Sequence, residues 1–114
     1  MEDTIFDKIL AGEIPADTVF ENDHVIAFRD ISPQAPEHVL VVPRNRMTSI
    51  AEAPDHDPAV LGHFLQGIAL TAERLGLEEG GYRVVFNTGR DAQQTVAYIH
   101  AHILGGRKLQ WPPG

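Results

Sequence analysis

The stretch "TVAYIHAHILGGR", residues 95–107, sets two histidines two apart in an apolar run and closes on a double glycine. Successive side chains of a strand point to opposite faces. In a strand, then, Tyr98, His100 and His102 share one face while Ile99, Ala101 and Ile103 share the other. The apolar set suits a core, and the polar set a surface or cleft. At ~3.3 Å per residue the two imidazoles stand roughly 7 Å apart at Cα, a span that suits two groups gripping one tetrahedral centre such as a phosphate. From the residues alone three readings stay open. The polar set is a solvated strand face, or a His-x-His metal clip with His38 as third ligand, or a catalytic pair.

The rest of the chain sets the context of that strand. "HVLVVPR", residues 38–44, is too apolar to be one-sided and reads as a central strand. "DTVFEND" and "HVIAFRD" read as two strands around the turn Glu21-Asn22-Asp23, and "YRVVFNTG", residues 82–89, as another. "TIFDKILAGEIP" reads as a short helix with a capping box from Thr4 and Asp7, stopped at Gly12. Residues 57–77 form the clearest helix. Asp57 caps it, Pro58 takes its first position and Gly76 ends it, with Val60, Leu61, Phe64, Leu65, Ile68, Ala69, Ala72 and Leu75 as one apolar stripe. Strands come in runs rather than alternating with helices, which points to an α+β domain with a mostly antiparallel sheet. The tail "RKLQWPPG" has no regular pattern.

The 114 residues, 43% hydrophobic and 22% charged, suit one globular domain spanning 1–114. A net charge of −7 argues against nucleic-acid binding through a basic patch. The chain has no cysteine, which excludes disulfides, thiolate zinc sites and cysteine nucleophiles. No apolar run approaches the ~20 residues of a membrane span, and acidic residues occupy the N-terminus where a secretory signal would be basic. A cytoplasmic protein with no membrane partner is the expectation.

Three further residues are candidates. His38 opens its strand after the rigid "PQAPE", as a site residue or a plain strand-start residue. Asp30 can accept hydrogen bonds from two ribose hydroxyls, or serve as an ordinary turn aspartate. Asn87 opens "NTGRD", which by itself is a turn signal. His24, His56 and His63 read as structural or solvent-exposed.

Together, "TIFDKILAGEIPA", "FRDISPQAPEHVLVVP", "YRVVFNTG" and "HAHILGGRKLQWPPG" resemble the histidine triad (HIT) family, most closely its Hint branch of nucleoside phosphoramidate hydrolases. The resemblance runs from about residue 4 to the C-terminus. It implies a five-stranded antiparallel sheet with two main helices, and a homodimer whose sheets join. It also implies hydrolysis, without metal or cofactor, of a purine nucleoside 5′-monophosphate carrying an amine or other leaving group on phosphorus. By the match His100 is the nucleophile and forms a nucleotidyl-histidine, His102 stabilises charge or moves a proton, and His38 joins their network. Asp30 binds the ribose. Ile5, Phe6, Ile9, Phe28, Ile31 and Leu40 fall where the family forms its nucleoside pocket. Asn87, Thr95 and Val96 fall near the phosphate and leaving group. Gln94 and Trp111 are supporting candidates, the latter on a tail that the family lays near the partner's site.

Neutral imidazole is a good nucleophile near pH 7. Two departures from the family pattern matter. The triad reads His-x-His-x-His, and here its first histidine is Tyr98. A tyrosine is a poor proton shuttle at pH 7, so catalysis is expected to survive but slow; the alternative is a nucleotide-binding regulatory module with little turnover. The loop "GRDAQQTV" also lacks the glycines and serine usual there, which bears on the backbone's approach to phosphate at Gln93 and on leaving-group choice.

Overall fold

A computed structural model describes residues 2–114. Helix α1 (Ile5–Leu10) opens with the expected capping box: the Asp7 N–H donates to the Thr4 hydroxyl while the Asp7 carboxylate accepts from the Thr4 N–H. Gly12 follows it in the left-handed region, φ +78°, as a helix-ending glycine should. Strands β1 (Thr18–Glu21) and β2 (Val25–Arg29) then form a hairpin. Its turn is closed by the Asn22 side chain, which accepts from the N–H groups of His24 and Val25. After β3 (Glu37–Pro43) comes a 3-10 turn, Ile50–Asp55, which the sequence pattern did not signal. Helix α2 (Pro58–Arg74) is capped by Asp57, and β4 (Tyr82–Val85) and β5 (Ala101–Gly105) complete the sheet.

The five strands form one antiparallel sheet in the order β1-β2-β3-β5-β4. The central position expected for β3 is what its burial requires: six of its seven residues are buried, all but Glu37. Register sorts the side chains onto two faces. Ala27 pairs with Val41 and Val41 with Ala101, Val39 pairs with Ile103, and Val25 on the same face meets α2 at Gly67. Phe28, Leu40 and His102 form a row on the opposite face, where α1 lies and Phe6 packs on Phe28. His38 sits two residues before Leu40 on the same strand, and therefore on that same face.

Two features differ from the sequence reading. The last strand begins at Ala101, not Val96, so Tyr98 and His100 precede the regular ladder. They are held instead by a bond from the Ile99 N–H to the Met47 carbonyl, 2.7 Å. The α2 stripe is also rotated: Phe64, Gly67, Ile68, Thr71 and Ala72 are buried, whereas Leu65 is 66% exposed and Ala69 is exposed. The reason is steric. A Cβ at Gly67 would lie 2.6 Å from Val25 Cγ1, so only glycine lets the helix sit this close to β2. No helix among the described residues is long and apolar enough to cross a membrane.

Gly67→Ala is accordingly expected to cost about 2 kcal/mol of unfolding free energy by overpacking. Urea denaturation checks this, and Val25→Ala in the same chain should recover part of the loss.

Candidate active site

A cavity of about 470 Å³ opens between α1 and the face of the sheet that carries His102. Its apolar wall is Ile5, Phe6, Ile9, Phe28, Leu40 and Val96, with Asp30, Ile31 and Thr95 at other points of the lining and His100 and His102 beside them. Ile31 is 98% exposed, an apolar side chain left at the border of an apolar cleft. Four further lining residues, Ile14, Pro15, Ala16 and Arg29, were not among the sequence candidates. The first three lie a few residues past the end of α1, and Pro15, which cannot continue a helix, was the signal that the chain has left it there.

The three histidines form a connected set whose protons can be assigned from their partners. His38 Nδ1 accepts from the backbone N–H of Gln34, 2.9 Å, so that nitrogen carries no hydrogen. A neutral imidazole has one N–H, and in His38 it is therefore on Nε2. That group lies 2.9 Å from His102 Nδ1 and donates to it. His102 in turn carries its hydrogen on Nε2, which is buried and has no partner among the described residues. His100 is set the other way. Its Nδ1 lies 2.7 Å from the Tyr98 carbonyl, an obligate acceptor, so Nδ1 holds the hydrogen and Nε2 keeps a free lone pair. The two rings, 5.0 Å apart between centroids, thus offer one lone pair and one N–H donor.

Burial favours the neutral form of His38 and His102. Desolvation lowers the His102 pKa to about 4, with the neighbouring His100 and His38 lowering it further and Asp30 opposing. Desolvation also lowers that of His38, again against Asp30. Asp30 Oδ2 stands 3.5 Å from His38 Nε2, while its Oδ1 accepts from the Ser32 N–H, 2.7 Å. Ligand atoms of Asp30, His38 and His102 lie within 4.8 Å of one another. A metal ion there would have to displace the His38–His102 hydrogen bond.

The remaining candidates fall outside the cavity lining. His38 stands behind His102. Asn87 lies beyond the end of β4 and does not line the cavity. Trp111 is 79% exposed, with the Arg83 guanidinium 5.8 Å from its ring centre. Gln94 is a brace: its Nε2 donates to the carbonyls of Thr48 and Val96, and its Oε1 accepts from the Gly89 N–H. Beside it Gln93 has φ +61°, so the loop keeps a glycine-type backbone without a glycine, a strain of order 1 kcal/mol. Tyr98 corrects the shared-face expectation. It is 1% exposed and lies in the core rather than in the cleft.

Residues 11–109 match the HIT domain family. An uncharacterised HIT-like protein of Synechococcus elongatus is 52% identical, covering 99% of this chain and 98% of that protein. The adenylylsulfatase HINT1 of Arabidopsis thaliana is 47% identical, over 97% of this chain and 76% of that protein. The crystal structure of a HIT family hydrolase from Legionella pneumophila superposes with a TM-score of 0.92 at 46% identity, covering 98% of this chain and 100% of that one.

The depressed His102 and His38 values make folding sensitive to acid. Below pH 6.5 the unfolded chain binds protons that the native state refuses. Stability is therefore full above pH 6.5 and is lost as the pH falls toward 4, by about 2 kcal/mol for His102 once solvent screening of its partly exposed ring is discounted. Denaturation midpoints across that range check this, and His102→Gln should flatten the loss.

Proposed function

The chain belongs to the histidine triad (HIT) family, and we propose that within it this protein is a nucleotidyl hydrolase. It cleaves a P–N or related bond at the α-phosphate of a purine nucleotide through a nucleotidyl-His100 intermediate. The observation that carries the reading is the opposed proton placement in one cleft, a lone pair on His100 Nε2 and an N–H on His102 Nε2.

In the proposed reaction the nucleoside lies against Ile5, Phe6, Ile9, Phe28 and Leu40, and its ribose hydroxyls donate to Asp30. His100 Nε2 attacks phosphorus while the Tyr98 carbonyl holds Nδ1–H and stabilises the charge the ring acquires. The P–N bond breaks, and its electron pair leaves on a nitrogen that takes up a proton from solvent to become the free amine. His102 Nε2–H donates to a phosphate oxygen as charge gathers there, a preorganised donor already stripped of water. Water then attacks the same phosphorus, the bond to His100 breaks, and the nucleoside monophosphate and the free histidine are restored. Two in-line displacements give net retention at phosphorus. The Arabidopsis relative's activity on an adenylyl sulfate makes a sulfate leaving group a natural second substrate class to test beside amines.

A homodimer and a cytoplasmic location are part of the same proposal. Strand β4 is a sheet edge with exposed Tyr82 and Val84, which supports pairing with a second copy.

The test is release of AMP from an adenosine 5′-phosphoramidate such as AMP-lysine. Turnover should fall at least about a thousandfold in His100→Ala. Tight AMP binding with no release above that control would instead support a nucleotide-binding module.

A further inference from the structure

The residue that breaks the triad pattern is a fully buried side chain anchored beside the site. The nucleophile candidate His100 stands one residue before β5, so the ladder does not fix it. Its orientation depends on the peptide unit joining Tyr98 and Ile99, whose carbonyl receives His100 Nδ1–H. The other end of that unit, the Ile99 N–H, donates to Met47. Its third attachment is the Tyr98 ring. The hydroxyl donates to the Pro43 carbonyl, where β3 ends. The Arg46 guanidinium stands 5.6 Å from the ring centre, and the edge of the ring meets Phe6 at 6.2 Å between centroids.

Pro43, Arg46 and Met47 belong to one short segment. It therefore holds the 98–99 peptide at the hydroxyl, the ring face and the backbone. Arg46 is itself tied to α1, with Nε and Nη2 donating to the two Asp7 oxygens at 3.0 and 3.1 Å. That pairing holds the Asp7 carboxyl down at about 2. Because α1 also walls the nucleoside pocket, the two sides of the cleft share one anchor.

We propose that Tyr98 is a positioning residue: its anchored hydroxyl and ring fix the 98–99 peptide, and so aim the Nε2 lone pair of His100. The first triad position thus contributes reach rather than a titratable ring. A histidine there ends too close to its own Cα to touch the Pro43 carbonyl without moving the loop. Tyr98 stays uncharged throughout the working range, since burial pushes its hydroxyl up to about 12. The sequence expectation that this tyrosine slows catalysis is replaced by the opposite one: within this frame it supports the rate.

The inference rests on the reading of His100 as nucleophile, so its test has an arm that needs no turnover. Tyr98→Phe keeps the ring and removes the anchor. Hydrogen exchange at the Ile99 amide should rise about tenfold, the cost of one net hydrogen bond, while β2 and β3 amides stay protected. On AMP-lysine, kcat should fall about tenfold with KM and AMP affinity unchanged. Tyr98→His, which restores the family pattern, should lower kcat as well. An Ile99 amide as slow in Tyr98→Phe as in the parent overturns the proposal, and does so even if the parent protein turns nothing over. So does an unchanged kcat, a kcat loss accompanied by weaker AMP binding, or a Tyr98→His protein faster than the parent. Absence of turnover in the parent with the exchange result as expected would fail the hydrolase reading alone and leave the anchor supported.

Discussion

The site depends on two backbone groups whose hydrogen-bonding roles cannot be exchanged. The Gln34 N–H can only donate, and the Tyr98 carbonyl can only accept. From the first, the proton positions of His38 and His102 follow in sequence, ending in an N–H that has no partner among the described residues. From the second follows the free lone pair of His100. Neutral imidazole is ambiguous in water because either nitrogen can hold the proton. Here burial keeps His38 and His102 uncharged, and the backbone removes the ambiguity.

The fold supplies these two groups from separate places. Gln34 lies in the Pro-restricted connection between β2 and β3, and Tyr98 in the segment before β5. What brings them together is register: pairing of Leu40 with His102 sets His102 across from β3, and His38 enters two residues earlier on that strand. A slip of one residue in either strand would turn His102 to the α2 face. The apolar rows that fix the register therefore also fix the chemistry. Gly67 contributes at one remove, since it lets α2 close over Val25 and the buried rows around it.

Much of this was legible in the sequence, and the reasons are physical. Capping at Thr4 and Asp57 depends on neighbours in the chain, and both caps form as read. The unbroken apolar run of β3 could only be satisfied in the middle of a sheet. Most of the cavity wall was reached through resemblance to the family, because an apolar side chain carries no mark of which cavity it lines. Illegible features rest on long-range contacts. The early end of the β5 ladder reflects a bond from Ile99 to Met47. The burial of Tyr98 reflects an acceptor 55 residues away. The rotation of α2 turned on one missing Cβ, and periodicity alone could not choose Gly67 over Leu65. Gln93 shows the limit of motif reasoning from residue type, since the loop takes a positive φ without the glycine.

The central claim is that the cleft presents one imidazole as a lone pair and the next as a donor. Nitrogen-15 NMR of the imidazole rings in the free protein near pH 7 measures this directly. The account predicts that His100 carries its proton on Nδ1 and that His38 and His102 carry theirs on Nε2, each as a single neutral tautomer. His100 protonated on Nε2, or His102 on Nδ1 or on both nitrogens at that pH, would contradict it.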